Sequence, residues 1–437
     1  KTKIEERSAR IAILGLGYVG LPLAVEFARS GFHVIGVDLS EAKVAAVNSG
    51  HSYIKDVPDE TLAALVKEGR LSATSDPAAL READAISICV PTPLNQTRDP
   101  DLSYVISAAD SIAANFTAGK LVVLESTTYP GTTDELILPR LTALGYQVGE
   151  DFFIASSPER VDPASQSYTT RTIPKVIGGA TPSCTELAQA LYASAVERTI
   201  PVSSTKAAEM TKLLENTFRL VNISLVNEVA MMCDRLGVDV WEVIAAAATK
   251  PFGFMAHYPG PGIGGHCIPV DPVYLSWKMK MIGGAARFIE LAGEINDTMP
   301  LHVVNKVADA LNDRRQCLNG GRILVLGVAY KRDIDDLRES PALPIIHLLK
   351  AKGALVDYND PYIPSFRLAE HQVGMSEAEV MTSVNLDHLA EYDCTLIITD
   401  HTSYNWDSIV ADSRLVVDTR NATRAVRAGA GERIVPL

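Results

Sequence analysis

The sequence predicts an α/β protein: two doubly wound, parallel-sheet halves joined by a central helical region. Three observations predict it. From Arg10 to Arg160, short apolar runs of parallel-strand type alternate with amphipathic helical stretches. At Thr205 that alternation gives way to a stretch without Pro or Gly until Gly237. After Asn319-Gly320-Gly321 the strand–helix alternation returns.

The first unit is the most informative. R-I-A-I-L-G-L-G (10–17) reads as a strand running into Gly15-x-Gly17-x-x-Gly20, and an amphipathic helix follows to Gly31. A second strand, F-H-V-I-G-V-D, ends at Asp38. Strand, glycine turn, helix, strand and acid is the context a dinucleotide fingerprint requires. Gly15 makes the tight turn, Gly17 lets a pyrophosphate approach, and Gly20 allows close helix–strand packing. The pyrophosphate then meets the free N–H groups of a helix N-terminus. Asp38 would bind the ribose hydroxyls and repel a 2′-phosphate, which favours NAD over NADP.

Further strands are expected at 83–90, 120–131 and 151–160. The first leads to Pro91-Thr92-Pro93, the second ends in Ser126, Thr127 and Thr128, and the third ends at Glu159. Ligands of open parallel sheets bind outside the carboxyl ends of the strands, so Thr92, Thr128 and Glu159 should share one edge with the glycine loop. Singly, each is better explained as turn or cap chemistry. Together they point to a site.

Thr205 is the expected N-cap of the long central helix and Gly237 its stop. Lys212 and Asn216 lie on one face, four residues apart, with Glu209 beside them. A solvated face is the plainer reading of a lone Lys, but an amide one turn from an ammonium suits an oxyanion. A helix starting at Asp239 follows, then G-P-G-I-G-G-H-C-I-P-V-D (260–271), then a helix over roughly 285–311. In the glycine-rich stretch Asp271 reads as an N-cap with Pro272 in the first helical position. The competing reading makes Cys267 a nucleophile held in a backbone that closes on a phosphate-bearing ligand. In the last segment R-I-L-V-L-G-V-A-Y (322–330) is a buried strand with only Gly327 at its turn, which suits a mononucleotide. Lys331, Arg338 and Arg420 stand at strand ends where they can hold phosphates, whereas Arg332 reads as a partner for Asp333, Asp335 or Asp336.

Composition bounds the function. The chain has 437 residues, 47% hydrophobic, with a net charge of −13, which disfavours nucleic acid and anionic membrane as partners. No apolar run is long enough to span a bilayer, and the first ten residues lack the pattern of a signal peptide. The six cysteines form no C-x-x-C pair, so free thiols in a reducing cytoplasm are expected and no structural metal.

G-L-G-Y-V-G (15–20), C-V-P-T-P (89–93), E-S-T-T-Y-P-G (125–131), S-S-P-E-R (156–160), A-E-M-T-K-L-L-E-N (208–216), G-I-G-G-H-C-I-P-V-D (262–271) and A-Y-K-R-D-I-D-D-L-R-E-S-P (329–341) occur here in this order. In these motifs the chain resembles the nucleotide-sugar 6-dehydrogenases of the UDP-glucose/UDP-N-acetylhexosamine dehydrogenase family. The resemblance implies an N-terminal NAD-binding Rossmann domain (1–204), a central helical, dimerising and catalytic domain (205–312), and a C-terminal Rossmann-like UDP-sugar domain (313–437). It implies a four-electron, NAD-dependent oxidation of a sugar C6 hydroxymethyl to a carboxylate. Cys267 matches the nucleophile, Lys212 and Asn216 the oxyanion donors, Asp271 the acid that orients water and the lysine, Glu159 the hydrolytic base and Thr128 a water-positioning hydroxyl. Gly15, Gly17, Tyr18, Val19, Gly20, Asp38, Lys43, Pro91, Thr92, Thr128 and Arg338 match the cofactor contacts. Glu159, Arg160, Val161, Lys212, Asn216, Tyr258, Gly264, Lys331 and Arg420 match the sugar-nucleotide contacts. The resemblance also implies a homodimer or larger homo-oligomer through the central helix.

The residues around Cys267, and A-R-F-I-E-L-A around Arg287, look most like the N-acetylhexosamine branch. UDP-N-acetylglucosamine is the first choice, for surface polysaccharide synthesis; UDP-N-acetylmannosamine, UDP-N-acetylgalactosamine and UDP-glucose stay open. Pro163, in R-V-D-P, stands where glucose-oxidising members carry a glutamate. Two rival functions are a two-electron β-hydroxyacid dehydrogenase, which needs neither Cys267 nor a third domain, and a silent nucleotide-binding protein.

Overall fold

The computed structural model describes residues 1–95, 97–161, 168–368 and 379–437; Pro163 and its neighbour Asp162 lie outside them. The chain divides into two compact units, 1–215 with 273–285, and 216–272 with 286–437.

The first unit is built on an eight-stranded sheet. Its strands are β1 (Arg10–Leu14), β2 (His33–Val37), β3 (Leu71–Thr74), β4 (Ala85–Ile88), β5 (Leu121–Leu124), β6 (Phe153–Ser156), β7 (Lys175–Gly179) and β8 (Thr199–Val202). They run in the order β3-β2-β1-β4-β5-β6-β7-β8, all parallel to their neighbours except the antiparallel pair β6–β7. Alternate side chains of β1 feed opposite faces: Ile11 and Ile13 enter one apolar cluster, Ala12 and Leu14 another. Strand order reverses between β1 and β4, and the glycine turn stands at that switch point.

The second unit carries a five-stranded parallel sheet, order β10-β9-β13-β14-β15, and a two-stranded antiparallel pair, β11–β12. The strands are β9 (Arg322–Leu326), β10 (Leu355–Asn359), β11 (Ser365–Leu368), β12 (Glu379–Thr382), β13 (Cys394–Ile397), β14 (Val416–Asp418) and β15 (Ile434–Pro436). Ile323 and Val325 face one core, Leu324 and Leu326 the other. Gly327 makes the turn after β9 at φ +76°, and a Cβ there would lie 2.4 Å from the Thr399 carbonyl oxygen.

Two α/β halves and a helical middle are as the sequence predicts, with three corrections. The strands end earlier than their apolar runs, because the last residues leave the ladders to form loops. Thr205 opens the helix Thr205–Leu236 but does not cap it: its hydroxyl donates to Asp134 Oδ1 at 2.8 Å, while Ser204 Oγ accepts from Ala207 N–H. Asp271 likewise is the first residue of the helix Asp271–Met281 rather than a cap before it. Gly237 at φ +67° stops the long helix, as expected; the next helix, expected from Asp239, is Val240–Ala247, and Asp239 caps it through Trp241 and Glu242 N–H.

Candidate active site

In the first unit the glycine turn is fixed by contacts that exclude a side chain at Gly15 and Gly20. Gly15 has φ +89°, and a Cβ on Gly20 would lie 1.8 Å from the Gly15 oxygen, so the helix Gly20–Arg29 sits directly on the turn. A Cβ on Gly17 would meet nothing within 4 Å, which leaves backbone open to a ligand between Gly15 and the half-exposed Tyr18. That bare cradle fits a pyrophosphate. Val19 is the residue before the helix, and a helix N-terminus favours an anion.

Asp38 closes the end of β2 and braces the turn. Its Oδ2 accepts from Leu16 N–H at 2.8 Å and from Lys43 Nζ at 3.3 Å, and its Oδ1 accepts from Ser40 N–H at 2.9 Å. The Tyr53 hydroxyl donates to the Leu16 carbonyl at 2.6 Å. Tyr53 is a support that sequence reasoning missed.

The carboxyl ends of β4, β5 and β6 bring Pro91, Thr92, Thr128, Glu159, Arg160 and Val161 to that edge. Pro91 is exposed and Thr92 buried. Ser126 Oγ donates to Val90 O at 2.7 Å and ties two of the loops together. Among the described residues the buried Thr128 hydroxyl has no hydrogen-bond partner, nor has that of Ser157. Such groups are often satisfied by ordered water. Glu159 is fully engaged: Oε1 accepts from Arg160 N–H at 2.7 Å and Val161 N–H at 2.8 Å, and Oε2 from Lys175 Nζ at 2.8 Å. These partners outweigh burial and hold its carboxyl below the usual range. Arg160 spans Glu215, at 3.1 and 2.5 Å, and the Pro174 carbonyl. Glu209 accepts from Gly131 N–H, Thr133 N–H and Thr133 Oγ1 at 2.6, 3.0 and 2.7 Å, pinning the loop after Thr128 to the long helix. Lys212 lies buried one turn further along.

In the second unit Asn216 Nδ2 donates to Asp271 Oδ2 at 2.6 Å, with both side chains buried. Asp271 N–H donates to the Cys267 carbonyl at 2.8 Å, so the acid and the half-buried thiol share one tight turn. The glycines before Cys267 make close approaches. A Cβ on Gly264 would lie 2.6 Å from Tyr330 Cβ, one on Gly265 2.7 Å from the Tyr330 ring, and one on Gly260 2.7 Å from Arg420 Nη1. Gly265 N–H donates to the Arg338 carbonyl at 3.0 Å, Gly260 N–H to Asn227 Oδ1 at 2.9 Å, and Ile263 N–H to Asn296 Oδ1 at 2.6 Å. Tyr258 is exposed, its ring 6.2 Å from that of Trp241 and nearly parallel to it.

Arg420 donates Nε–H to the Ile398 carbonyl at 2.8 Å. Lys331 follows Tyr330 in the loop after β9, which Asp360 braces by accepting from Val328 N–H, Ala329 N–H and His401 Nε2 at 2.7, 3.1 and 3.0 Å. The charge pairing differs from the sequence reading. Arg332 pairs with Asp400, and it is Arg338 that grips Asp336 through Nε and Nη2. Asp336 is two residues from Arg338 on a tight loop, whereas Arg332 emerges beside the end of β13.

Comparison with known proteins spans nearly the whole chain. The models of the UDP-glucose/GDP-mannose dehydrogenase family match in order: the NAD binding domain over residues 9–196, the central domain over 206–298 and the UDP binding domain over 324–425. A UDP-N-acetyl-D-glucosamine 6-dehydrogenase of Pseudomonas aeruginosa is 36% identical, covering 91% of this chain and 92% of that one. An NDP-N-acetyl-D-galactosaminuronic acid dehydrogenase of Ralstonia nicotianae is 38% identical, covering 96% and 97%. The solved UDP-D-ManNAc dehydrogenase of Pyrococcus horikoshii superposes with a TM-score of 0.84 at 36% identity, over 94% of this chain and 96% of that one.

Proposed function

The chain belongs to the UDP-glucose/GDP-mannose dehydrogenase family, an NAD-dependent oxidoreductase family, and from that premise we propose that it oxidises the C6 hydroxymethyl of a UDP-N-acetylhexosamine to the uronate. UDP-N-acetylglucosamine is the sugar we assign first. The relatives named for N-acetylglucosamine, N-acetylgalactosaminuronic acid and N-acetylmannosamine are similarly distant, which supports the class of sugar. UDP-glucose is the further alternative.

The observation that carries the reading is the buried Asn216–Asp271 hydrogen bond on the turn that holds the Cys267 thiol. The turn at Gly15–Gly20 and Asp38 would hold NAD, which would supply the hydride acceptor for each oxidation. Cys267 attacks the C6 aldehyde, so that the aldehyde stays bound as a thiohemiacetal and then as a thioester. Lys212 and Asn216 donate to the developing oxyanion, and Asp271 fixes the Asn216 amide and orients it. Glu159 takes a proton from the hydrolytic water, which the Thr128 hydroxyl positions, and C–S cleavage returns the Cys267 thiolate. Lys331, Arg420 and the glycine stretch from Tyr258 to Gly264 hold the nucleotide sugar; Arg160 and Val161 shape the loop beside Glu159.

The division of labour we infer is 1–204 for NAD, 205–312 for catalysis and dimerisation and 313–437 for UDP. Exposed Leu214, Phe218, Leu225 and Met232 on the long helix support a homodimer there. No helix among the described residues is long and apolar enough to cross a membrane. Six free cysteines are consistent with a cytoplasmic setting.

The test is NADH yield per sugar across the four candidate UDP-sugars. Two NADH for each sugar consumed is expected, highest in kcat/KM for UDP-N-acetylglucosamine. One NADH would mean a two-electron dehydrogenase, and none a binding protein. Cys267→Ala should abolish uronate formation.

A further inference from the structure

Lys175 is a buried charge to which the mechanism above gives no role. Its side chain is 2% exposed and donates to Glu125 Oε2 at 2.5 Å and to Glu159 Oε2 at 2.8 Å. The three residues come from three neighbouring strands: Glu125 follows β5, Glu159 lies just beyond β6, and Lys175 opens β7. The Tyr192 ring centroid lies 5.7 Å from the Lys175 ammonium, and the Tyr192 hydroxyl is 3.2 Å from Ser87 Oγ.

Stability alone does not explain this arrangement. Buried ion pairs gain little over apolar residues of the same volume. Two carboxylates on one ammonium also leave an excess negative charge in the interior, which favours protonation of one acid. The environments decide which. Glu159 has two backbone N–H donors in addition to Lys175, and its carboxyl is held down. Glu125 lacks those donors, and burial pushes its carboxyl up to about 7 despite the attraction of Lys175. The other titratable groups facing it are Cys89 and Tyr192, both pushed up by burial and therefore neutral. Lys175 stays an ammonium, its two acidic partners overcoming its burial.

We propose that Lys175 and Glu125 are positioning residues that also carry protons, forming an internal relay behind Glu159. The inference rests on the role of Glu159 as hydrolytic base. In the step, a water O–H bond breaks and its proton goes to Glu159, while the oxygen bonds to the thioester carbon and the C–S bond breaks. Lys175 then gives an Nζ proton to Glu125 Oε2 and takes the Glu159 proton in its place. Glu159 is again a carboxylate, Lys175 again an ammonium, and Glu125 is neutral. No electron moves and total charge is unchanged. After the product leaves, the proton returns by the same route to solvent. The relay explains how an acid with all of its oxygens engaged, and weak as a base, can accept a proton and be reset.

Two substitutions test it. Glu125→Gln keeps shape but cannot accept the proton. Lys175→Arg keeps the charge and the hydrogen bonds, but a guanidinium does not release its proton. A merely structural Lys175 would tolerate arginine. The measurement is the pH dependence of thioester hydrolysis, followed in single turnovers by quenching and intact mass. The wild type should lose activity as pH falls through about 7, where Glu125 becomes protonated. In both variants that limb should vanish and hydrolysis should slow by about a hundredfold, with acyl-enzyme accumulating. Formation of the aldehyde-level adduct should be unchanged. Wild-type profiles and rates in both variants would overturn the relay. Should neither variant fold, a wild-type hydrolysis step with no ionisation near neutrality overturns it equally. Failure of the underlying reading is distinguishable, because the wild type would then form no adduct on Cys267.

Discussion

The glycine turn yields a prediction in which two substitutions three residues apart have opposite consequences. Gly20→Ala places a methyl 1.8 Å from the Gly15 oxygen, about 1.6 Å inside the 3.4 Å at which ordinary contact begins, and 3.2 Å from Cys89 Cβ. Both the helix and the turn are backbone there, so neither can swing aside as a side chain would. Overpacking by a methylene costs about 1–3 kcal/mol in a core that can relax. With backbone on both sides the upper end applies, about 3 kcal/mol or more, which lowers the denaturant midpoint of the first unit. Gly17→Ala places its methyl in open space and has no positive φ to strain it. Its unfolding midpoint should stay within about 0.5 kcal/mol of wild type. The methyl does occupy the cradle where a pyrophosphate approaches, so NAD affinity should fall by about a hundredfold, or about 2.7 kcal/mol. The assay is NAD titration by calorimetry beside urea unfolding of each variant. A Gly17→Ala protein that binds NAD normally would refute the assignment of the cradle. A Gly20→Ala protein as stable as wild type would refute the packing argument.

Three further outcomes are expected. Asp271→Asn turns an amide towards the Asn216 amide and removes the carboxylate, so kcat should fall by about 10²-fold while KM for the sugar changes little; a change in KM alone would argue against Asp271 acting on the chemistry. Lys175→Met leaves Glu125 and Glu159 buried without their cation, a loss of about 3–5 kcal/mol at neutral pH that acid should partly restore, read from urea unfolding at several pH values. Burial raises the Glu209 carboxyl from 4.5 to about 7. Its folded pKa thus exceeds its unfolded one, so the stability it contributes is complete below the unfolded pKa and is lost as pH rises through about 7, by about 3 kcal/mol. Glu209→Gln should flatten that part of the stability profile, and an unchanged slope would contradict it.

What the sequence shows of this site depends on whether a residue acts through local or distant geometry. Gly15, Gly20 and Asp38 are legible because the turn, the helix packed on it and the acid that ends β2 lie within one continuous stretch. Gly237 and Asp239 are legible for the same reason. Cys267 stands out because glycines, which cannot form a core, surround it. Lys175 is not legible. In T-I-P-K-V-I-G-G it reads as a strand-edge lysine, and its partners lie 50 and 16 residues away in the chain. A charge set among apolar residues is the available signal, but only the order of β5, β6 and β7 shows what it meets. Asp360 and His401 are hidden in the same way: they brace the loop after β9 from beyond the ends of β10 and β13. Nearness in sequence pairs Arg332 with the acids that follow it, and that criterion fails where a loop folds back on itself: Arg332 meets Asp400, and Asp336 goes to Arg338.

The packing of Gly264 and Gly265 against Tyr330 bears on how this enzyme could be redesigned. A tyrosine side chain fills the space that two side chains would need, and a backbone hydrogen bond from Gly265 to Arg338 joins the same two loops. The loop that carries Cys267 and the loop after β9 therefore vary as one part. A library that randomises residues 262–266 to change sugar preference will contain mostly misplaced thiols unless position 330 is sampled with it. Shrinking Tyr330 first would lift the ring from position 265 but leave 264 closed, because the Tyr330 Cβ and the Glu339 carbonyl oxygen stay 2.6 and 2.8 Å from a Cβ there.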